Sequence, residues 1–180
     1  MLSEPITLYK LMNLYMLKQV NFPLTNAQLT NFFLEHDYTT YFTLQQALNE
    51  LLDTELIRKE SHHNSTQYEI TDEGINTLSF FVNKIPPAIT EDIDRYLKEN
   101  KFRLRNEVGT IADFYKSTNQ DYVVHCEVRE DKVPLIELNL SVPDKDQAEY
   151  MCSNWRKRSQ EIYAFAMKAL MSGEEYIHEK

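Results

Sequence analysis

The stretch from Leu44 to Leu78 constrains the fold of this chain more than any other. A helix-period run ends near Asp53, and a short alternating segment opens at Leu56. A polar tip and a second short alternating segment follow, and Thr71 precedes another helical run. Side chains repeat every 3.6 residues in a helix and every second residue in a strand. The stretch therefore predicts a β-hairpin between two helices.

Two more helices are predicted before this stretch. The first runs from Ile6 to Val20 and is ended by the Asn21-Phe22-Pro23 segment. Thr25 and Gln28 then have the spacing of a capping box, which begins the second helix. A short turn from His36 to Thr39 leads to a third helix, from about Tyr41 to Asp53. This spacing of the second and third helices is typical of a helix-turn-helix.

The third helix is predicted to be amphipathic. Its buried side is defined by Leu44, Leu48, Leu51 and Leu52. The opposite side carries Phe42, Gln46, Asn49, Glu50 and Asp53.

The second half of the chain has a different pattern. After the hairpin, Thr71 caps a fourth helix with Ile75, Leu78, Phe81, Val82 and Ile85 pointing inward, and Pro86-Pro87 ends it. We place the domain boundary there, between residues 1–85 and 86–180. A fifth helix, three alternating segments (107–116, 121–129 and 133–142) and a long last helix to about Met171 follow. The order α-β-β-β-α predicts an antiparallel meander with a covering helix, so the fold class is α+β.

The motif around the hairpin resembles winged helix-turn-helix transcriptional regulators of the PadR-like and MarR-like pattern. Tyr68, Ile70, Thr71 and Gly74 match the closing Y-x-L-T-x-x-G motif, and Glu55-Leu56-Ile57 stands where the pattern has Gly-Leu-Ile. Without that glycine, we expect the turn to form without a positive φ. A second resemblance is carried by the segments 20–51, 87–108 and 138–149. On these segments the whole chain resembles a family of uncharacterised bacterial proteins with a winged helix and a short α+β domain. The first resemblance implies DNA binding, and the second implies the two-part architecture.

The resemblance and the helix-3 pattern together select candidate DNA contacts. Gln46 and Asn49 have the amide geometry to pair with adenine, and Thr43 beside Tyr41 lies in the first turn, where it could meet a thymine methyl. Arg58, Lys59, His62 and His63 lie at or near the hairpin tip, where they could meet phosphates. The alternative for the two amides is that they are solvated surface residues.

Charge counts against strong DNA binding. Residues 1–86 carry five Lys or Arg and ten Asp or Glu, and the whole chain has a formal net charge of −9. Phosphate contacts dominate affinity for DNA, so we expect weak binding unless a homodimer doubles the contacts. The alternative function is a non-enzymatic protein-interaction module that uses the same fold without DNA.

Other chemistry is disfavoured. Adjacent histidines at a loop tip cannot hold one metal ion without further ligands, and three glycines leave no phosphate-binding loop. Cys126 and Cys152 are expected to be reduced core residues, so we predict no enzyme activity, metal or cofactor.

Arg156-Lys157-Arg158 is interpreted as a solvated face, with a contact to a partner or DNA as the alternative. No membrane span or secretory signal is found, and with two reduced cysteines we expect a cytoplasmic protein. The winged-helix resemblance implies a homodimer whose partner is double-stranded DNA, with a small-molecule or protein effector as a further expected partner.

Overall fold

The computed structural model describes residues 4–62 and 65–172, apart from the side chain of His62. Over these residues the chain is α+β, as predicted, with six α-helices and two three-stranded antiparallel sheets. In chain order the elements are α1 (Pro5–Val20), β1 (Leu24–Thr25), α2 (Asn26–Glu35), α3 (Tyr41–Asp53), β2 (Ile57–His62), β3 (Ser65–Ile70), α4 (Asp72–Phe81), a 3-10 turn (Val82–Lys84), α5 (Pro87–Gly109), β4 (Thr110–Lys116), β5 (Tyr122–Glu130), β6 (Val133–Val142) and α6 (Lys145–Met171).

The chain divides into two compact units, Met1–Val108 and Gly109–Lys180. The division lies 23 residues later than the boundary expected before Pro86, and all of α5 except its last residue, Gly109, falls in the first unit. Its Ile93, Leu97 and Leu104 join the core of that unit. Pro87 begins α5, because proline is well tolerated in a first helical turn.

The first unit is built around α1, which packs against α3, α4 and β3. The sheet order is β1-β3-β2, and the two residues of β1 pair with Tyr68 and Gln67 of β3. The hydroxyl of Tyr38 donates to Asp92 at 2.7 Å, and that of Tyr15 donates to Asp94 at 3.0 Å. Both bonds join α5 to the rest of the unit. Burial, and then the hydrogen bond to Asp92, raise the pKa of Tyr38 to about 12.

Helix ends in the first unit follow local capping rules. The predicted capping box of α2 is present, with the Thr25 hydroxyl accepting from Gln28 N and Gln28 accepting from Thr25 N, both at 3.0 Å. Thr71 caps α4 as expected, accepting from Gly74 N at 3.0 Å. Contrary to expectation, α4 ends at Phe81, where the chain turns into the 3-10 segment and leaves Phe81 exposed beneath the Lys84 ammonium.

The turn after α3 has a positive φ, contrary to the expectation from the sequence. Glu55 adopts the left-handed conformation itself, with φ of 57°. Leu56 N donates to Leu51 O, and Glu55 N donates to Leu52 O, both at 3.0 Å. These two bonds are the Schellman arrangement that ends many helices. The positive φ is therefore made without glycine, because two backbone bonds compensate for the strain of a side chain there.

The second unit is a three-stranded meander covered by one helix. The strand order is β4-β5-β6, and α6 lies mainly over β4 and β5. The expected core position of Cys126 is confirmed, because Cys126 and Val124 of β5 are buried with Trp155 of α6. Asp144 caps α6 by accepting from Gln147 N at 2.8 Å. The segment 107–109, expected to begin a strand, is instead the last part of α5.

Candidate nucleic-acid interface

Helix α3 presents the exposed side that its periodicity predicts. The Thr40 hydroxyl caps it by accepting from Thr43 N at 3.4 Å. Its buried side consists of Leu44, Ala47, Leu48 and Leu51. Gln46 and Asn49 are consequently exposed, as is Phe42. The half-buried Thr43 lies with its hydroxyl 3.1 Å from that of Thr40, so its side chain belongs to the cap rather than to the outer surface.

A hydrogen-bonded amide network positions α3 against α2 and the β2–β3 hairpin. The Asn26 side-chain amide donates to Gln45 Oε1 at 2.9 Å and to the Tyr68 hydroxyl at 3.2 Å. Its oxygen accepts from Gln45 and from the Thr30 hydroxyl, both at 3.2 Å. One residue at the start of α2 therefore joins three elements. Such a satisfied network favours one geometry, because an altered position would leave polar groups unpaired.

A concave pocket of about 430 Å³ opens where these three elements meet. It lies within the first unit and is lined by Thr25, Asn26, Ala27, Thr30, Asn31, Tyr41, Ser65 and Thr66. None of the described residues that line it carries a formal charge. Hydroxyl and amide groups of this kind are frequent donors to phosphate and sugar oxygens of DNA. Tyr41 is the single predicted contact residue among them.

The pocket contains residues that sequence reasoning missed. Asn31 is exposed on α2, and Ser65 and Thr66 begin β3. The available signal was the density of Thr, Asn and Ser near two helix starts and a hairpin. Such residues are equally typical of helix caps and turns, and only the tertiary structure brings these segments together.

Acidic charge near α3 is partly neutralised. Lys10 of α1 donates to Glu50 at 2.9 Å, and Gln46 donates to the other Glu50 oxygen at 3.1 Å. The hydrogen bond from Lys10, followed by that from Gln46, lowers the pKa of Glu50. Gln46 is thus exposed but already engaged with its neighbour, whereas Asn49 is exposed one turn further along.

The predicted basic residues of the hairpin lie on different faces of it. Arg58 pairs across the strands with Glu69, and its guanidinium donates to that carboxylate at 2.6 Å and 3.0 Å. Lys59 lies opposite Tyr68, and Ser61 opposite Thr66. Because directly paired residues and alternate residues share a face, Lys59 is on the same face as Thr66, which lines the pocket. Arg58 is on the other face, which it shares with Ser65, a second residue that lines the pocket.

The remaining predicted contacts lie at the tip. His62 is the last residue of β2 and pairs with Ser65, but its side chain is not described. His63 lies outside the described residues. Within the described ranges, no group of three or more His, Cys, Asp or Glu has metal-binding geometry.

In the second unit, the basic run on α6 makes local contacts. Arg156 donates to the Ala112 backbone carbonyl at 3.1 Å, and Arg158 donates to Glu161 at 3.2 Å. Both side chains are exposed beyond these contacts. The interpretation as a solvated face therefore agrees with the contacts of Arg156 and Arg158.

The far face of the second sheet, away from α6, carries a polar cluster that was not anticipated. His125 lies 2.9 Å from Asn139 Oδ1 and 3.2 Å from Glu127 Oε2, and Glu127 also accepts from Arg129 at 2.5 Å. Glu127 and Asp113 are both buried. Burial acts to lower the pKa of His125, but the hydrogen bonds to Asn139 and Glu127 and the nearby carboxylates raise it overall. Cys126 on the opposite face of the sheet and Cys152 of α6 are both buried and form no disulfide. Burial raises the pKa of the Cys126 thiol to about 11.

Among the described residues, no helix has both the length and the apolar character needed to cross a membrane.

Comparison with known proteins places the chain in a family. No curated protein and no solved structure matches the sequence. The model of a family described as a domain of unknown function, DUF4364, matches residues 9–170. Because this match covers most of both units, the chain belongs to the DUF4364 family.

Proposed function

We propose that this protein is a transcriptional regulator that binds double-stranded DNA as a homodimer through a winged helix. In this proposal α2 and α3 form the helix-turn-helix, α3 enters the major groove, and the β2–β3 hairpin is the wing. The second unit, Gly109–Lys180, provides dimer contacts. We further propose that it acts in the cytoplasm, where its two buried thiols stay reduced.

The observation that carries the proposal is the neutral pocket beside the exposed side of α3. It places Tyr41, Asn31 and Thr66 from three elements around one concavity. Asn49 is exposed on the adjoining helix and has the donor and acceptor pair that suits adenine. Phosphate contacts from neutral groups would position α3, and the amide would then read a base edge.

The charges near the site indicate what kind of binding to expect. Glu50 is paired with Lys10, and Arg58 with Glu69, so neither pair presents a strong net charge. Among the described residues, Lys59 is exposed and makes no ion pair, and it shares a face of the hairpin with the pocket residue Thr66. With few cations per copy, we expect a shallow salt dependence, with each neutralised phosphate contributing a slope of about −0.9.

The test is fluorescence anisotropy with pooled genomic DNA fragments at low and near-physiological salt. We compare Lys59→Gln with Arg58→Gln, which remove the same charge from opposite faces of one strand. Lys59→Gln should reduce the salt slope by about 1 per copy, while Arg58→Gln should change it little. A larger effect of Arg58→Gln would show that Arg58 leaves Glu69 to contact phosphate, contrary to the proposed surface.

A second pair of variants tests the pocket itself. Asn31→Asp places a negative charge in the pocket, and Asn76→Asp places the same charge on the exposed surface of α4. Asn31→Asp should weaken binding by about ten-fold through repulsion of phosphate, or ~1.4 kcal/mol, and Asn76→Asp by much less. If wild type binds no DNA even at low salt, the proposal fails.

One observation favours the alternative, a protein-interaction module. Phe42 is 84% exposed at the start of α3, with Tyr41 in edge contact at 6.0 Å between ring centroids. Exposed aromatic residues are enriched where proteins bind other proteins. Capture of a protein partner that is lost in Phe42→Ala, together with no DNA binding, would favour this function.

A further inference from the structure

Strand β6 leaves one edge of the second sheet without a partner strand. The strand order is β4-β5-β6, so β6 pairs with β5 on one side only. Within residues 4–62 and 65–172, the backbone of β6 makes no hydrogen bond outside this pairing. The other edge strand differs, because the Ala112 carbonyl of β4 accepts from Arg156 of α6 at 3.1 Å. A row of N–H and C=O groups along β6 is therefore available to another strand.

Most of β6 also lacks the features that prevent edge strands from pairing between molecules. Such features are short length, lysine, proline and bulges. In β6, which has ten residues, Pro134 and the register shift opposite Val128 and Arg129 both lie near its first residue. The segment 136–142 contains no Lys, Arg or Pro and a single charged residue, Glu137. This segment therefore has little protection against the addition of a strand.

The side of β6 that faces α6 is apolar and incompletely covered. It consists of Ile136, Leu138, Leu140 and Val142. Leu140 is 41% exposed and the other three are half-buried, whereas Val124 and Cys126 on the same side of β5 are buried. The reason is that α6 lies mainly over β4 and β5. A strand added beside β6 would place its own apolar side chains next to these.

The opposite side of β6 determines which register suits a second copy of this strand. In an antiparallel pair related by a two-fold axis, directly opposed residues lie on the same side of the sheet. An axis at Leu138 places Glu137 of each copy opposite Asn139 of the other. Asn139 Oδ1 lies 2.9 Å from His125 Nδ1, so the amide N–H groups of Asn139 remain to donate to that carboxylate. An axis at Glu137 would oppose two carboxylates, and an axis at Asn139 would oppose two amide donors.

We infer that β6 is the surface on which a second copy of this chain docks, by antiparallel pairing of the two β6 strands about Leu138. Segments 134–142 of the two copies then form ~8 backbone hydrogen bonds, and the two sheets become one continuous sheet. Leu138 meets its counterpart, and Ile136 meets Leu140 of the other copy. The same edge on both copies makes a closed two-fold contact. The inference rests on the homodimer of the proposed function and names its contact surface.

Sedimentation velocity of the full chain over a range of micromolar concentrations tests this inference. Wild type should sediment as a dimer, and Leu140→Lys should weaken dimerisation at least about ten-fold, because it places a charge on the paired edge. The matched control is Tyr115→Lys, at an exposed residue of the other edge strand, which should remain a dimer. Amide hydrogen exchange of segment 135–141 should be slower in wild type than in Leu140→Lys. Circular dichroism checks that each variant is folded.

A second set of variants tests the register without changing an apolar residue. Asn139→Asp places a carboxylate opposite Glu137 twice in the dimer, while the contact with His125 can be kept. It should weaken dimerisation by about ten-fold through repulsion between like charges. Adding Glu137→Gln to this variant removes the repulsion and should restore the dimer. If the double variant does not recover, the proposed register is wrong.

Three outcomes would overturn the inference. Wild type could be monomeric at every concentration, Leu140→Lys and Asn139→Asp could both dimerise as well as wild type, or Tyr115→Lys could lose the dimer as fully as Leu140→Lys. Failure of the proposed function is distinguishable, because a wild type that dimerises and binds no DNA would overturn the DNA proposal alone. If both hold, Lys59→Gln should lose DNA affinity and remain a dimer, whereas Leu140→Lys should lose the dimer and retain weak DNA binding.

Discussion

At the scale of single residues, the main departure from simple sequence rules is the use of left-handed conformations without glycine. Asn21, Asp37, Glu55, Gln120 and Asp131 all have positive φ among the described residues. Asp37, like Glu55, follows a helix whose last carbonyls are bonded in the Schellman manner, with Tyr38 N donating to Phe33 O at 3.0 Å. Backbone hydrogen bonds thus select the conformation, and the side chain tolerates it at a cost.

That cost predicts a stabilising substitution at Glu55. A left-handed conformation costs an L-residue about 1–2 kcal/mol, and glycine avoids it while losing about 0.5–1 kcal/mol to backbone entropy. Glu55→Gly should therefore raise the free energy of unfolding by roughly 0.5–1 kcal/mol in urea titrations. Thr54→Gly, at the neighbouring residue with φ of −92°, should lower it. Destabilisation by both variants would contradict the assigned conformation of Glu55.

Gly74 is required for a different reason, namely close approach. A Cβ atom there would lie 2.1 Å from the Leu56 carbonyl oxygen and 2.8 Å from Ile70 Cγ1. Alanine normally stabilises a helix relative to glycine by about 1 kcal/mol. Here we expect Gly74→Ala to cost about 1–3 kcal/mol, because backbone must move to admit the methyl group. Asn76→Ala, exposed on the same helix, serves as the control and should be neutral or slightly stabilising in the same urea titration.

At the scale of elements, α3 illustrates how periodicity separates structure from surface. Leu48 is buried in the core of the first unit, whereas Gln46 is exposed and bonds only to Glu50. Leu48→Ala should cost about 2–5 kcal/mol through lost burial and the cavity left behind. Gln46→Ala should change stability by less than about 0.5 kcal/mol. Equal destabilisation by the two variants, measured by thermal and urea unfolding, would mean that the two faces of α3 are wrongly assigned.

The hairpin shows what periodicity does not decide. Alternation predicted two strands, but it could not show that Arg58 would pair with Glu69 while Lys59 remained without an ion pair on the face of Thr66. Pairing across strands depends on register, and the register is a property of two segments together. The sequence predicts that both side chains contact phosphate. With Arg58 paired to Glu69, we expect Lys59 to make the stronger phosphate contact of the two.

At the scale of the whole molecule, the polar cluster around His125 makes stability depend on pH. The groups that face it are Asn139, Glu127, Asp113 and Glu137. Its pKa in the folded state is raised above the unfolded value near 6.5, so its stabilising contribution is complete below that value. The contribution is lost as pH rises through the folded-state pKa.

This pH dependence can be isolated by substitution. Urea unfolding of wild type and His125→Gln from pH 5.5 to 8.5 should show wild type relatively more stable at the acidic end. The difference in unfolding free energy should shrink with rising pH, by at most about 1.4 kcal/mol per pH unit. A difference that is constant or grows with pH would contradict the raised pKa.

The sequence by itself determined the order of most elements and the helix caps at Thr25 and Thr71. It also determined the inward side of α3 and the core position of Cys126. These features depend on hydrophobic periods and on hydrogen bonds between residues a few positions apart, which are local properties of the chain.

The tertiary structure alone decided the rest. It placed α5 in the first unit through Ile93 and Leu97, and it brought Asn31, Tyr41 and Thr66 around one pocket. It also left Phe165 and Leu170 of α6 exposed. Each of these depends on packing between segments far apart along the chain, so no pattern within one segment contains the information.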